Sequence, residues 1–463
     1  MADIAELDPK VTWHPFTQMA EWSPLVIARG EGSWLFDVEG RRYLDGVSSL
    51  WCNVHGHRHP RLDAALKAQV DQLAHSTFLG LSHEPGVRLA AALIEIAPKG
   101  LTRVFFSDSG STAVEIALKQ SFQYWQLVDR SHIHERYVTA DGEERSRWPR
   151  STKSKQKFLR LGDAYHGDTL GAVGVGGIEL FHRIFGPLLV QSIAIPSPAT
   201  VGLDASIAVL ERELETRAYE IAAFVVEPLI QGAAGMLVHP PGFLAKAAEL
   251  CARFHVHLIV DEVATGFGRT GTMFACEQEG VSPDFLCLAK GIAGGYLPLA
   301  ATLATETIFS AFLGRRADMK HFFHGHTFTA NPLACAVGLE SIALLRETTL
   351  PNAQARIPSM TAALGRLSSL SGVASVRQRG LMGGIELAPI EGRFLGVEVC
   401  DRIRAHGVIL RNLGDVIVWM PPLSISEEEL AFLEQATSSA IRETLGTSGH
   451  ATVEATTHEP VLP

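Results

Sequence analysis

The chain has 463 residues, 46% of them apolar and 19% charged, a balance that suits a globular protein with ample core. Its formal net charge of −10 argues against nucleic acid as a general partner. Six scattered cysteines fit reduced residues of a cytoplasmic protein better than a disulfide frame, and no basic-then-apolar leader follows Met1. The longest weakly charged stretch, 285–304, carries Lys290, three glycines and Pro298, which a membrane helix would not combine.

Residues 1–12 are expected to lack fixed structure, and Trp13-His14-Pro15-Phe16-Thr17-Gln18-Met19 to form an irregular segment. The alternation from Ser33 to Asp45 predicts a hairpin turning at Glu39-Gly40. Cys52, His55, His57 and His59 lack the paired spacing of zinc modules, as do His321, His324 and His326, so no metal is expected. Leu62, Leu66, Val70 and Leu73 predict a helix over Arg61–Ala74.

A strand at Val104–Phe106 leads into Ser107-Asp108-Ser109-Gly110-Ser111-Thr112 and then a helix, with Thr112 and Glu115 as its expected capping pair. Strand, small-residue turn and helix N-terminus together suit an anion, because free N–H groups and the helix dipole point at it. Residues 129–157 read as a polar insert whose basic residues around Trp148 are offset by Asp141, Glu143 and Glu144. Strands follow at Phe158–Leu161, ahead of Tyr165-His166-Gly167-Asp168-Thr169, and at Ala223–Val226, which ends in Glu227.

The most informative stretch runs from His257 to Gly291. It reads as two buried strands, Leu258–Val260 and Phe285–Ala289, with Asp261 and Lys290 at their carboxyl ends, the edge where open α/β sheets bind ligands. A lone Asp–Lys pair is usually a structural ion pair. The same pair suits pyridoxal phosphate: lysine forms a Schiff base with the aldehyde, and aspartate pairs with the protonated pyridine nitrogen. Gly266-Phe267-Gly268-Arg269-Thr270-Gly271 matches the dinucleotide fingerprint by letter. It lacks the fingerprint's immediate strand-to-helix context, so a flexible loop beside the site is expected instead. A last helix is predicted from Ser426, with Glu429 completing its capping box and Leu430, Leu433 and Ile441 facing inward; 447–463 is expected to be a disordered tail.

With phosphate turn, aspartate and lysine in this order, the chain resembles the class III aminotransferases among the fold-type-I pyridoxal phosphate enzymes. The likeness runs from Trp13 to about Leu423, outside the insert at 129–157. It is carried by the blocks at 13–19, Asp45-Gly46-Val47-Ser48-Ser49-Leu50-Trp51, Tyr165–Thr169, Phe323-His324-Gly325-His326-Thr327-Phe328 and Leu410-Arg411-Asn412-Leu413-Gly414-Asp415. The resemblance implies an α/β fold with a large, mostly parallel-sheet domain over 61–332. A smaller α+β domain would be built from both termini, 1–60 and 333–446.

It implies further that Lys290 carries the cofactor and shuttles the proton, and that Asp261 holds the pyridine nitrogen. Val263 and Tyr165 would cover the ring faces, and Glu227 would stand near the cofactor. Gly110 and Ser111 would bind its phosphate, with His326 and Thr327 approaching from the partner subunit of a homodimer. Phe16, Leu50, Trp51, Gly325 and Arg411 would line the substrate pocket, Arg411 taking a carboxylate. The implied reaction converts 8-amino-7-oxononanoate to 7,8-diaminononanoate in biotin biosynthesis. Members using S-adenosylmethionine as donor usually carry tyrosine and tryptophan where this chain has Phe16 and Leu50, which leaves S-adenosylmethionine and lysine both open as donors. A broad ω-amino acid or diamine transaminase and an aminomutase are the alternative readings.

Overall fold

The computed structural model describes residues 4–128, 135–138, 144–147, 155–179 and 183–446. Its central feature is a seven-stranded sheet in the order Leu101–Ser107, Ala300–Thr305, Phe285–Leu288, His257–Asp261, Ile221–Val226, Lys157–Leu161, Ser192–Ile195. All strands run parallel except Ala300–Thr305, which is antiparallel to both neighbours. The central strands are nearly all apolar because helices cover both faces. Ala223 and Val225 pack with Ala113, Val114 and Ala117 of the helix Gly110–Leu127. Their neighbours Phe224 and Val226 point the other way, into a core with Leu210, Leu214, Phe243 and Leu250.

Two smaller four-stranded sheets lie outside it, the first joining the chain's ends. Ile27–Glu31, Trp34–Asp37 and Arg42–Asp45 form an antiparallel meander, and Val408–Ile409 adds to it in parallel beside Arg42–Asp45. Val373–Arg379, Met382–Leu387, Val416–Trp419 and Arg411–Leu413 make the other, wholly antiparallel sheet. The predicted hairpin turns where expected. Asp37 accepts hydrogen bonds from the backbone N–H groups of Glu39 and Arg41, and Gly40 takes φ +84°. The final helix, Glu427–Gly446, carries the predicted capping box, with Ser426 and Glu429 bonded reciprocally and Leu430, Leu433 and Ile441 buried.

Several local expectations are corrected. The first residues are helical at Ile4–Val11. The predicted helix at Arg61–Ala74 spans Pro60–Val70, leaving Leu73 outside it. The helix after the phosphate turn starts at Gly110, not after Thr112: Ser109 caps it and Thr112 answers as the third helical residue. Glu115, freed from capping, accepts the N–H of Gly171 at 2.8 Å. Glycines 266 and 268 lie in a buried segment, where the adjoining Arg269 is 1% exposed and bonded to Ser48 and to the Pro421 carbonyl. Within the insert, Glu135–Val138 pairs with Glu144–Arg147. Trp148 and the tail at 447–463 lie outside the described residues.

Candidate active site

The carboxyl ends of the central strands open into a cavity of about 440 Å³. Phe16, Leu50, Trp51, Gly110, Ser111, Tyr165, Glu227, Asp261, Val263, Lys290 and Arg411 all line it, although they come from segments spread over some four hundred positions. Gly325, His326 and Thr327 lie outside this lining. The imidazole Nε2 of His326 is 4.0 Å from Asp108 Oδ1, at the outer side of the phosphate turn.

Asp261 ends its strand with its side chain 5% exposed. One oxygen accepts the N–H of Val263 at 3.0 Å, and the other lies 2.7 Å from His166 Nδ1. His166 also lines the cavity, and its buried Nε2 has no partner among the described residues. No local sequence pattern marks His166 as functional, because its bond to Asp261 reaches 95 positions along the chain. Gly167, Asp168, Thr169, Ala233, Ala264, Thr265 and Leu413 also line the cavity without a distinguishing sequence signal.

Lys290 follows its strand by one intervening residue and adopts φ +48°, a left-handed conformation that costs an L-residue about 1–2 kcal/mol. Its Nζ lies 4.5 Å from the centroid of the Trp51 ring. Burial pushes the amine down to about 8, against the opposing pull of Asp261 and Glu227. An amine so shifted is more often neutral and nucleophilic at physiological pH. Burial likewise pushes the Glu227 carboxyl up to about 7, though its oxygens accept N–H groups from Tyr165 and Gly232.

The other end of the cavity presents a helix N-terminus. Gly110 and Ser111 are the first residues of an 18-residue helix, where N–H groups lack intrahelical acceptors. Ser111 Oγ is held by Thr169, through its N–H at 3.0 Å and its hydroxyl at 2.7 Å. Two glycines keep this corner open. A Cβ on Gly110 would stand 2.5 Å from Val263 Cγ1, and one on Gly167, at φ +114°, would stand 2.4 Å from Ser111 Cβ. Carboxylate, amine and helix terminus are therefore arranged around one space as pyridoxal phosphate requires, for its pyridine nitrogen, aldehyde and phosphate respectively.

The outer wall is different in kind. Tyr165 donates its hydroxyl to Asp168 at 2.8 Å, and burial raises its pKa. Arg411 opens a short strand with its guanidinium 5.6 Å from the Phe16 ring centroid. Leu50 and Trp51 arrive on a turn in which Ser48, Ser49, Leu50 and Trp51 have φ of +44°, +49°, +71° and +71°.

The profile of the class-III aminotransferase family matches residues 17–441, and the chain belongs to that family. It is thus a pyridoxal-phosphate-dependent aminotransferase. Adenosylmethionine-8-amino-7-oxononanoate aminotransferase of Geobacter sulfurreducens is 48% identical over 469 residues, covering 96% of this chain and 98% of that protein. The crystal structure of the enzyme of that name from Methanocaldococcus jannaschii matches with a TM-score of 0.87 at 40% identity, over 95% of this chain and 98% of that one. An amine transaminase from an uncultivated Pseudomonas species, solved in its pyridoxal-phosphate-bound form, matches with a TM-score of 0.83 at 33% identity, over 94% and 99%.

Proposed function

We propose that the chain transfers an amino group to the 7-oxo carbon of 8-amino-7-oxononanoate, giving 7,8-diaminononanoate in biotin biosynthesis. The carrying observation is the single cavity in which Lys290 and Arg411 are joined by apolar walls of Phe16, Leu50, Trp51 and Leu413. A carboxylate anchor set apart from the reacting amine by apolar surface suits a long oxo-acid. Near-full-length identity to enzymes named for that reaction supports the same reading.

Pyridoxal phosphate, when bound, supplies the electron sink for breaking a substrate C–H bond. In our reading the Lys290 amine moves the proton at the reacting carbon, in its neutral form as base and in its charged form as acid. Asp261 keeps a proton on the pyridine nitrogen, and His166 holds that carboxylate in place. Gly110 and Ser111 hold the phosphate, Val263 and Tyr165 flank the ring, and Glu227 stands beside it. The chain works as a homodimer in which Gly325, His326 and Thr327 of each subunit complete the site of the other. Arg411 orients the acceptor through its carboxylate.

The amino donor in this proposal is S-adenosylmethionine, the donor in the names of the relatives. L-lysine is a second reading, favoured by Phe16 and Leu50 in the pocket wall, which offer neither a hydroxyl nor an indole to a large donor. The test is a half-reaction on purified holoenzyme, following the cofactor's visible band. Loss with one donor alone names that donor. Return of the band with 8-amino-7-oxononanoate, but slowly or not at all with pyruvate, supports the acceptor. Rapid return with pyruvate makes the protein a broad ω-amino acid transaminase, and isomerisation of substrate without donor makes it an aminomutase.

A further inference from the structure

The turn that brings Leu50 and Trp51 to the pocket is unusual in its backbone. Four successive residues with side chains, Ser48 to Trp51, have positive φ, and none is glycine. Each pays a steric penalty between its Cβ and the following carbonyl oxygen, so such a run persists only where its surroundings over-determine it. What holds it is visible. Asp45, the last residue of the strand Arg42–Asp45, is fully buried. One carboxylate oxygen accepts the N–H of Ser49 at 2.9 Å, and the other accepts the Ser49 hydroxyl at 2.7 Å. That second oxygen also lies 3.0 Å from His57 Nε2. At the front of the turn, Ser48 donates to the Met420 carbonyl at 2.6 Å. The backbone pairing of Asp45 with Ile409 ties the same strand end to the segment that leads into Arg411.

We propose that Asp45, backed by His57, is a specificity-positioning residue. Its carboxylate clamps the left-handed turn at Ser49 and so sets where Leu50 and Trp51 stand in the substrate pocket. Asp45 is not among the residues lining the cavity and acts only through the turn. The inference rests on reading that wall as the substrate pocket. It concerns how the wall is held, whatever acceptor the enzyme uses. A charged acceptor satisfying both the N–H and the O–H of one residue is what a strained turn needs, because charge-assisted bonds are the stronger kind.

Glycine supplies a discriminating test, since it adopts positive φ without penalty. In Asp45→Asn holoenzyme, the KM for the amino donor and for the acceptor is expected to rise about tenfold or more, as for loss of a hydrogen bond to a charged group. The visible band and phosphate-end affinity for pyridoxal phosphate should be unchanged. Adding Ser49→Gly to Asp45→Asn is expected to recover most of that loss, because glycine holds the turn without the clamp. Unchanged KM in Asp45→Asn overturns the proposal, and so does a loss that Ser49→Gly leaves untouched while the cofactor stays bound. Should Asp45→Asn not fold, His57→Phe decides: it removes the partner behind the carboxylate and should raise KM in the same direction, with His57→Gln restoring it. An unchanged KM in His57→Phe then overturns the proposal. Failure of the acceptor assignment is seen separately, as wild-type enzyme that does not turn over 8-amino-7-oxononanoate. The KM comparison then uses whichever amine bleaches the wild-type band.

Discussion

Gly167→Ala puts the phosphate end of the site to a quantitative test. Gly167 has φ +114°, and an added Cβ would lie 2.4 Å from Ser111 Cβ, where carbon atoms ordinarily rest about 3.5–4.0 Å apart. Ser111 or the 165–169 segment must therefore move by roughly 1 Å or more. Overpacking of that kind costs about 1–3 kcal/mol, and the glycine-only backbone adds about 1–2 kcal/mol. Ser111 cannot yield freely, because Thr169 holds its hydroxyl twice. If most of a roughly 2–5 kcal/mol penalty falls on the occupied site, the Kd for pyridoxal phosphate rises about 30-fold or more, at about 1.4 kcal/mol per tenfold. The assay is equilibrium binding of pyridoxal phosphate to stripped enzyme, followed by absorbance, with a melting scan in parallel. Gly365→Ala is the control: it is exposed in the helix Leu350–Leu367 with no neighbour in reach of a Cβ, and should stabilise by about 0.5–1 kcal/mol. A Gly167→Ala enzyme that binds the cofactor within twofold of wild type and melts no lower would refute the argument.

Three further outcomes are expected. Because burial lowers the Lys290 pKa to about 8 from 10.5, the stripped native state binds fewer protons than the unfolded chain between those values. Its stability should therefore rise with pH across that window, and Lys290→Met should abolish that rise as well as catalysis; parallel melting curves for the two proteins would count against the buried amine. Arg411→Leu should lower kcat/KM for the oxo-acid about 10- to 100-fold. A primary amine lacking a carboxylate should be spared, so equal losses on both substrates would remove Arg411 from the anchoring role. Finally, Lys290→Ala and Thr327→Val enzymes, each impaired alone, should regain activity when dissociated and mixed, since a mixed dimer keeps one site free of both lesions; no gain despite subunit exchange would mean that sites are not shared.

How much of this was readable in advance depended on how far each interaction reaches along the chain. Asp261 ends one short apolar strand and Lys290 follows another by one residue, so composition alone marks both strands and the edge where they end. The strand, turn and helix around Gly110 were legible for the same reason, but the helix's capping register was not. Thr112–Glu115 and Ser109–Thr112 both fit a capping pattern, and the choice rests on Glu115 being engaged by Gly171, 56 positions away. The histidines at 55–59 show no zinc spacing in the sequence, and their actual partners were invisible there. His55 lies between the hydroxyls of Thr349 and Ser341, and His57 faces Asp45. The glycine pattern at 266–271 suggested mobility because glycine is permissive; tertiary packing instead buries Arg269 within it, bonded to Ser48 and to the Pro421 carbonyl. Family likeness, not local physics, supplied Arg411, Phe16 and Leu50 as pocket residues.

The two ends of the cavity follow different structural logics. The end proposed for the cofactor is fixed by the central sheet and a helix on it: a strand-end acid, a lysine just past the neighbouring strand and the N-terminus of the helix that follows the edge strand. The substrate end comes from a turn near residue 50 and a strand at 411–413, brought together because Val408–Ile409 pairs with Arg42–Asp45. A change in the small sheets can thus shift Leu50, Trp51 and Arg411 together while leaving Asp261 and Lys290 where they are. The backbone strain is distributed the same way, with one left-handed residue at Lys290 and five at the pocket wall and its turn, Phe16 and Ser48 to Trp51. Strain at Lys290 is backed by the central sheet, whereas strain at the wall is backed by side-chain bonds from Asp45 and Ser48, by the turn's own backbone bonds and by the packing of Trp51. Substrate preference should therefore be the more easily altered property, and substitutions around the Asp45 clamp should change which amines are accepted before they change whether the cofactor binds.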